Sequence, residues 1–281
     1  MDRSLILAVL LLIFGNNIAI LSDSLIKLLD GFEAPFQFVL LRQLSAALLL
    51  LPVMLYLRRP LLPQKLRWHA TRAHIFLFGA VFMVISLTTL PLATANAIFY
   101  AAPLITVVFA RVFFKERVTL WSLGTAALGM LGVLVIVNPS EGNIFVLAAL
   151  VVAASLAINN LLIKKLPVEH SIIDTLYLTN ILGIPTTLVL TLIEGATFDW
   201  YLFWLAIGSS CFAMIYAATC VYAYRAADSN KITSAEYTGL IGAVLLGFVF
   251  FAEQPDLRFY LGSLLIVIPL TLLTWRQGKS S

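Results

Sequence analysis

The sequence predicts an all-α membrane protein in which ten transmembrane helices form two inverted five-helix repeats. The first observation is composition: 61% of the 281 residues are hydrophobic and 11% are charged, whereas a soluble domain carries about 25% charged residues. The other observations are ten long apolar runs and an internal repeat with a constant offset of 137 residues. The basic residues, which give a net charge of +4, lie in short loops, so they indicate membrane orientation rather than nucleic-acid binding.

Ten segments of the chain have the length and composition of a transmembrane helix, which needs about 20 mostly apolar residues. The predicted spans cover residues 4–22, 34–57, 73–90, 94–113, 119–138, 143–163, 171–193, 200–224, 232–252 and 259–275. The first run is long for the apolar part of a signal peptide and contains Asn16 and Asn17 at mid-length. We therefore interpret it as a retained first helix.

The distribution of Lys and Arg predicts which ends of the spans face the cytoplasm. With the N-terminus inside, fifteen of the 18 basic residues fall in cytoplasmic segments. The outer segments contain only Lys27 and Arg258, and Arg42 lies within the second span. Because cytoplasmic loops carry an excess of Lys and Arg, both termini are predicted to be cytoplasmic.

The internal repeat relates the two halves of the chain. The matched positions are Tyr100 and Tyr237, Glu116 and Glu253, and the Leu-Ile-Lys runs at 25–27 and 162–164. Each half contains five spans, an odd number, so the second half must insert in the opposite orientation to the first. We predict two repeats, 1–138 and 139–281, related as the inverted repeats of alternating-access transporters are.

Several motifs occur in the order of a known family. They are Phe14-Gly15-Asn16-Asn17 in span 1, Arg42 ahead of small residues in span 2, the stretch 93–116, and the stretch 237–256. This set resembles the drug/metabolite transporter superfamily, EamA type, over essentially the whole chain. The chain departs from the family pattern at Phe14, where Trp is usual, and Leu240 stands opposite Pro103 in the repeat. The resemblance implies a transporter and leaves the substrate open, since members carry chemically diverse small molecules.

Glu236 is the carboxylate that most directly suggests chemistry within the membrane. It lies about one turn into span 9 from the predicted cytoplasmic end, and its repeat partner is Phe99. Polar groups inside a bilayer usually face the bundle interior or a water-filled cavity. Glu236 is therefore predicted either to bind a cationic substrate or a coupling proton, or to be an interfacial carboxylate that pairs with Lys231.

Aromatic rings accompany this carboxylate. Tyr100 and Tyr237 are related by the repeat, and Tyr216 lies in span 8. Aromatic faces around a carboxylate suit an ammonium group, and each contact contributes up to ~2 kcal/mol when desolvated. We predict that these tyrosines line the substrate site; the alternative is that they pack between helices or lie at a membrane interface.

Three further polar residues complete the predicted site. Arg42, about 12 Å below the outer end of span 2, either binds a substrate carboxylate or phosphate or is a structural arginine that bonds backbone carbonyls. Asn16 and Asn96 either contact the substrate or hydrogen bond between helices. The predicted substrate-binding residues are Glu236, Tyr237, Tyr100, Asn16, Asn96, Tyr216 and Arg42.

Prolines and glycines predict the shape of several spans. Pro103 and Pro185 fall within spans 4 and 7 and are predicted to kink them. Small residues allow helices to approach closely. Close approach is predicted at Gly124, Gly129 and Gly132 in span 5 and at Gly239, Gly242 and Gly247 in span 9.

The predicted function is secondary active transport of a small cationic or zwitterionic metabolite, such as an amine or amino acid, by alternating access with optional proton coupling. The sequence contains no P-loop, H-E-x-x-H or G-x-S-x-G motif, so no enzyme activity, cofactor or metal is predicted. One alternative is an intramembrane enzyme acting on lipid-linked groups, which would use Glu236 and Asp174. Another is a scaffold subunit that transports nothing.

The expected partners are a small-molecule substrate and the lipid bilayer, with a homodimer left open and nucleic acid excluded. The short loops and the compact ten-span form suggest a multi-pass protein of the bacterial inner membrane.

Overall fold

The computed structural model describes the chain except for short segments. Those outside the description are residues 1–2, 30, 32–33, 64, 113–114, 116–118, 139–142, 163–164, 168, 227–237 and 281. For residues 3–5, 103, 110, 122, 220–221, 224–226, 270 and 273–280 only the backbone is described.

The described chain contains twelve helical segments. They are α1 Arg3–Lys27, α2 Pro35–Tyr56, α3 Arg67–Thr89, α4 Leu92–Phe99, α5 Ala102–Val112, α6 Leu120–Val137, α7 Phe145–Leu162, α8 Ile172–Ile181, α9 Ile184–Glu194, α10 Trp200–Ala226, α11 Thr238–Phe251 and α12 Leu257–Ser280. In the described residues, seven continuous or closely joined helices are long and apolar enough to cross a membrane, and three shorter ones are apolar. Together they account for the ten predicted spans, and the predicted all-α membrane fold is confirmed.

The orientation of this bundle remains a prediction from charge. We use it to name the two ends: the outer end is where α1 finishes and α2 begins, and the inner end is where α2 finishes and α3 begins.

Two spans are broken, each at a predicted proline. Span 4 consists of α4 and α5, which are separated by Tyr100 and Ala101. Span 7 consists of α8 and α9, and Pro185 lies at the start of α9. Proline has no backbone N–H and clashes with the preceding turn, so neither helix can continue unbroken through it. The predicted kinks at Pro103 and Pro185 are therefore confirmed.

The first span is longer than predicted. The sequence suggested an end at residue 22, but α1 continues to Lys27 and includes Asp23, which is 6% exposed. Charged residues usually end a predicted span because they are costly in lipid. Here they remain in the helix because partners from other spans face them.

The two halves of the chain pack into one another rather than side by side. Helix α1 from the first half packs against α10 and α11 from the second, and α3 packs against α7. The short helix α4 lies at the centre of this arrangement, and all its residues except Thr94 are buried. A central α4 places the break in span 4 among helices of both halves.

Glycine contacts confirm most of the predicted close approaches. A Cβ at Gly132 of α6 would lie 2.6 Å from the backbone oxygen of Gly262 in α12, and Gly129, Gly239 and Gly242 are also close to other helices. At Gly247 the close neighbour is the side chain of Glu253, just beyond the same helix. The prediction was wrong for Gly124, because a Cβ there would meet nothing within 4 Å. Gly124 lies near the start of α6, one to two turns before the contact with α12.

Candidate substrate site

A first group of polar residues, which we call the central cluster, surrounds the middle of α1. Asn16 lies near the midpoint of that helix and is 3% exposed. Tyr100 lies at the break between α4 and α5, and a Cβ at Gly239 of α11 would overlap its hydroxyl. The same Cβ would lie 3.3 Å from the Cβ of Asn16. The break in span 4, the middle of α1 and the start of α11 therefore meet at one point.

Helix α10 closes the other side of the central cluster. A Cβ at Gly15 would overlap the Thr219 hydroxyl and would lie 3.5 Å from the Tyr216 ring. Asn16 and Asn17 donate their amide N–H groups to Leu12 and Ile13 of the preceding turn, at 2.9 and 2.7 Å. The structure thus brings Asn16, Tyr100 and Tyr216, three of the predicted site residues, to the same level of the bundle.

A second group, the charged cluster, lies nearer the outer end. It consists of Asp23 on α1, Arg42 on α2 and Asn96 on α4. Asp23 and Asn96 are 6% and 4% exposed. Helix α10 joins α1 and α2 at this level, since Ser22 donates to the backbone oxygen of Ser209 and Ser210 donates to that of Arg42. Asp23 is two turns from Asn16 on nearly the same face of α1, or about 10 Å. Asn96 is one turn from Tyr100, so the two clusters are neighbours.

Asp23 is the functional candidate that sequence reasoning missed, because the predicted first span stopped one residue before it. A signal was present in the repeat. The Leu-Ile-Lys run at 25–27 matches 162–164, and most of that second run lies within predicted span 6. If span 1 likewise extends into its own Leu-Ile-Lys run at 25–27, Asp23 lies inside the membrane.

The outer end of the bundle is held by a buried ion pair that we call the outer tie. The Nζ of Lys27 lies 2.8 Å from a carboxylate oxygen of Glu253, and the two side chains are 12% and 15% exposed. Lys27 also donates to the backbone oxygen of Leu90 at 2.7 Å. Glu253 accepts a hydrogen bond from the backbone N–H of Leu92, the first residue of α4, at 2.7 Å. The outer tie therefore joins the outer ends of spans 1, 3, 4 and 9.

The inner end has a different set of contacts around a cavity of about 330 Å³. His69 at the start of α3 is fully buried, and its Nε2 lies 2.9 Å from the Nδ1 of His170. The exposed pair Lys65 and Glu169 is joined at 2.7 Å. The hydrogen bond from Lys65 holds the pKa of the Glu169 carboxyl below its ordinary value of 4.5.

Asp174, one of the two acids that an intramembrane enzyme would need, is engaged in structure. Its Oδ2 accepts from the backbone N–H of Ser171 at 2.6 Å, and Ser171 Oγ accepts from the N–H of Asp174 at 3.2 Å. This reciprocal arrangement caps the N-terminus of α8. The same carboxylate oxygen lies 3.6 Å from Arg59. Asp174 is thus explained as a helix cap.

The seven predicted site residues therefore have three outcomes. Asn16, Tyr100 and Tyr216 meet in the central cluster. Asn96 and Arg42 lie in the charged cluster, together with Asp23, which was not predicted. Glu236 and Tyr237 lie outside the described residues, immediately ahead of α11.

Comparison with known proteins agrees with this architecture. The EamA-like transporter family matches the chain twice, over residues 4–138 and 143–275. A solved crystal structure superposes on the chain with a TM-score of 0.60 at 17% sequence identity, covering 99% of both chains. That likeness concerns the fold alone.

Curated relatives are named as transporters. The chain is 23% identical over 267 residues to the S-adenosylmethionine uptake transporter of Rickettsia prowazekii, covering 93% of this chain and 90% of that protein. It is 25% identical over 257 residues to the riboflavin transporter of Vibrio cholerae, covering 89% and 86%.

Fold, site and relatives together define a multi-pass membrane transporter of small molecules rather than an enzyme. The chain belongs to the EamA-like transporter family, within the drug/metabolite transporter superfamily. The predicted family resemblance is confirmed.

Proposed function

We propose that this protein is a secondary active transporter for a cationic or zwitterionic metabolite, working by alternating access in the bacterial inner membrane. Its functional halves are residues 1–138 and 139–281. The observation that carries the proposal is the central cluster, in which a broken span from one half faces helices of the other half. Transporter sites are typically formed by such discontinuous helices near the bilayer midplane.

The chemistry of the central cluster suits an organic solute. Tyr100 and Tyr216 supply aromatic faces that attract a cation, and Asn16 supplies a hydrogen-bonding amide. Glu236 and Tyr237, which directly precede α11 in the sequence, are proposed to complete the site because α11 begins beside Tyr100. In this proposal Glu236 is the counter-ion of the substrate or the group that binds a coupling proton.

The named relatives are compatible with this substrate class without fixing it. S-adenosylmethionine is a sulfonium cation that carries an α-amino acid group, whereas riboflavin is uncharged and aromatic. Both are solutes that tyrosine rings can stack against. The preference for a charged substrate therefore rests on the carboxylates of this chain, Glu236 and Asp23.

The outer tie supports the alternating-access part of the proposal. With Lys27 bonded to Glu253 and to Leu90, the outer ends of spans 4 and 9 are held together above the central cluster. The residues 137 positions away are Lys164 and Glu116, which lie outside the described residues. Because inverted halves exchange roles between the two states, we propose that the outer tie is broken when the outer end opens.

Counterflow in proteoliposomes tests the proposal. Vesicles loaded with S-adenosylmethionine, riboflavin or an amino acid mixture are tested for uptake of the same labelled solute. We expect exchange with at least one cationic or zwitterionic solute, and a loss of at least tenfold in Tyr100→Phe and Asn16→Ala. Tyr222→Phe is the matched control, since Tyr222 is 59% exposed on α10. The proposal would be contradicted if no cationic or zwitterionic solute were exchanged, or if Tyr222→Phe lost as much exchange activity as Tyr100→Phe and Asn16→Ala.

Proton coupling is tested at Glu236. If this carboxylate binds the coupling proton, Glu236→Gln should remove the pH dependence of uptake while leaving equilibrium counterflow intact. An unchanged pH profile in Glu236→Gln would exclude Glu236 as the coupling group.

A further inference from the structure

We propose that His69 and His170 form a pH-sensitive latch, which holds the two halves of the chain together at the inner end while both rings are neutral and releases them when a further proton binds. The inference goes beyond the proposed function, because it concerns regulation at a place away from the central cluster. The bond between the rings can be tested without any solute, and only its effect on solute exchange rests on the transport proposal.

The latch joins segments from different halves of the chain. His69 lies in the first turn of α3, and His170 directly precedes the Ser171 cap of α8. The Nε2 of His69 and the Nδ1 of His170 are 2.9 Å apart, and the ring centroids are 5.0 Å apart. Two ring nitrogens at this distance form a hydrogen bond, so one carries a hydrogen and the other offers its lone pair.

The Nδ1 of His69 determines which protons the bonded pair can hold. One proton lies between the rings, and a neutral pair holds one more, either on Nδ1 of His69 or on Nε2 of His170. The Nδ1 of His69 is sealed and has no hydrogen-bond partner among the described residues. A buried N–H without an acceptor is costly. The neutral pair therefore carries its second proton on His170, whose ring borders the inner cavity.

A third proton cannot join the bonded pair without a penalty. While one proton lies between the rings, a third proton leaves hydrogens on both remaining nitrogens, including Nδ1 of His69. This places a positive charge and an unpaired N–H at a ring that is fully buried. Once the rings separate and water reaches them, each can bind a proton as a free imidazole does near pH 6.5. Acid therefore favours the released state.

The charged groups buried near His69 do not relieve this penalty. Arg72, one turn further along α3, is 8% exposed, and its positive charge opposes a proton on His69. Asp174 of α8 would favour one, but its Oδ1 is also sealed without a partner, so it lies beyond hydrogen-bonding distance of the His69 Nδ1. Its Oδ2 caps α8 and lies 3.6 Å from Arg59.

The remaining charged groups beside the latch are exposed. Lys65 and Glu169 connect the same two segments with side chains 67% and 57% exposed, and the exposed Arg67 lies over the Trp68 ring. Histidine is the side-chain type whose charge ordinarily changes between pH 5 and 8. A response of this joint within that range is therefore assigned to the two histidines.

The test measures release of the latch by amide hydrogen exchange of the purified full-length protein. The reporters are the backbone N–H groups of Ala70 and His170, which donate to the oxygens of Leu66 and Pro167 at 2.8 and 3.1 Å. Wild type is compared with His170→Asn at the same pH, so that the intrinsic chemistry of exchange cancels. The amide oxygen in this variant can accept from His69 as Nδ1 does, and it does not titrate.

We expect the two proteins to exchange alike at about pH 7.5. Below about pH 6.5, exchange in wild type relative to His170→Asn should rise about tenfold per pH unit, because release that takes up one proton shifts by this factor. His170→Lys, which offers a charge and no acceptor, should exchange rapidly at every pH. His74→Gln is the matched control, since His74 is exposed on the same helix and bonds Thr186; it should behave like wild type.

Nitrogen NMR of wild type labelled at histidine tests the latch even if the variants do not fold. We expect His69 to hold its proton on Nε2 at neutral pH. The inference would be overturned by a proton on Nδ1 of His69, by an exchange ratio that does not change with pH, or by loss of the pH response in His74→Gln.

Counterflow in proteoliposomes separates the latch from the transport proposal. Wild type and His170→Asn should show different pH profiles of solute exchange, and identical profiles would overturn the regulatory role of the latch. If the latch responds to pH while no solute is exchanged, the transport proposal fails and the latch stands. If solutes are exchanged while the latch does not respond, the latch fails and the transport proposal stands.

Discussion

The outer and inner ends of the bundle are each linked by a lysine–glutamate pair, and the two pairs differ chiefly in burial. Lys27 and Glu253 meet at 2.8 Å with side chains 12% and 15% exposed. Lys65 and Glu169 meet at 2.7 Å with side chains 67% and 57% exposed. The distances are nearly equal, so the environment rather than the geometry decides what each pair contributes.

Burial gives the outer tie a larger energetic weight than the exposed inner pair. Water screens an exposed pair, and such pairs contribute little. A buried charge that loses its partner is left unpaired in a low-dielectric environment, which is strongly unfavourable. The outer tie also uses backbone groups at Leu90 and Leu92, so breaking it releases the start of α4. Breaking the outer tie therefore affects four spans together, namely spans 1, 3, 4 and 9.

The largest effect is expected when one member of the outer tie is removed. Glu253→Gln leaves Lys27 buried without its counter-ion and should lower the free energy of unfolding by about 3 kcal/mol. Lys27→Met combined with Glu253→Gln should recover much of this loss, because no buried charge remains. Chemical denaturation of the detergent-purified protein measures both values. Additive losses in the double variant would show that the two residues do not act as a pair.

A smaller effect is expected at two helix N-termini that the repeat relates. Helix α2 follows Ala34 and is capped across the halves by Glu194, whose oxygens accept from Phe36 and Gln37 at 3.0 and 2.9 Å. Helix α8 follows Ser171, 137 residues later, and is capped locally. Glu194→Ala should lower the free energy of unfolding by about 2 kcal/mol, because hydrogen bonds to a charged group are strong.

Removing the corresponding cap of α8, at the inner end, should lower the free energy of unfolding by less. Ser171→Ala removes one uncharged cap and should cost about 1 kcal/mol, measured by the same denaturation assay. Equal losses of stability in Glu194→Ala and Ser171→Ala would show that a cap joining the two halves contributes no more than a local cap.

The smallest effect is expected for the exposed inner pair. Lys65→Gln, Glu169→Gln and their combination should leave the melting temperature and counterflow unchanged at neutral pH. Because the folded-state pKa of Glu169 is lowered, whatever the pair contributes is present above its ordinary value of 4.5 and is lost as the pH falls through the lowered pKa. This account would be contradicted if the melting temperature of wild type exceeded that of Glu169→Gln by a margin that grows as the pH falls.

The sequence predicted the architecture well because that information is local. Apolar run length predicted ten spans, and Pro103 and Pro185 predicted the two breaks, since proline suits the first turn of a helix and disrupts its interior. Pro52 and Pro269, in contrast, lie inside continuous helices. Tyr100 was predicted from the repeat that relates it to Tyr237, Tyr216 from its aromatic ring and Asn16 from its polarity within span 1. The structure places all three around the middle of α1.

What the sequence did not predict depends on contacts between distant residues. Lys27 and Asp23 were placed outside the first span because a charge costs free energy in lipid. In the structure the cost of Lys27 is offset by Glu253, 226 positions away. No local pattern contains such a pairing. The repeat offset of 137, which relates Lys27 to Lys164 and Glu253 to Glu116, was the one signal in the sequence that links these charges.

The most direct measurement of the central claim is counterflow with the outer tie locked. Lys27→Cys and Glu253→Cys are introduced together in a protein whose native Cys211 and Cys220 are replaced by Ser, and the pair is cross-linked in proteoliposomes. The account predicts that cross-linked protein exchanges no solute and that a thiol reductant restores exchange to the level of the uncross-linked sample. Unchanged counterflow in fully cross-linked protein would show that the outer end need not open, and would contradict alternating access through this tie.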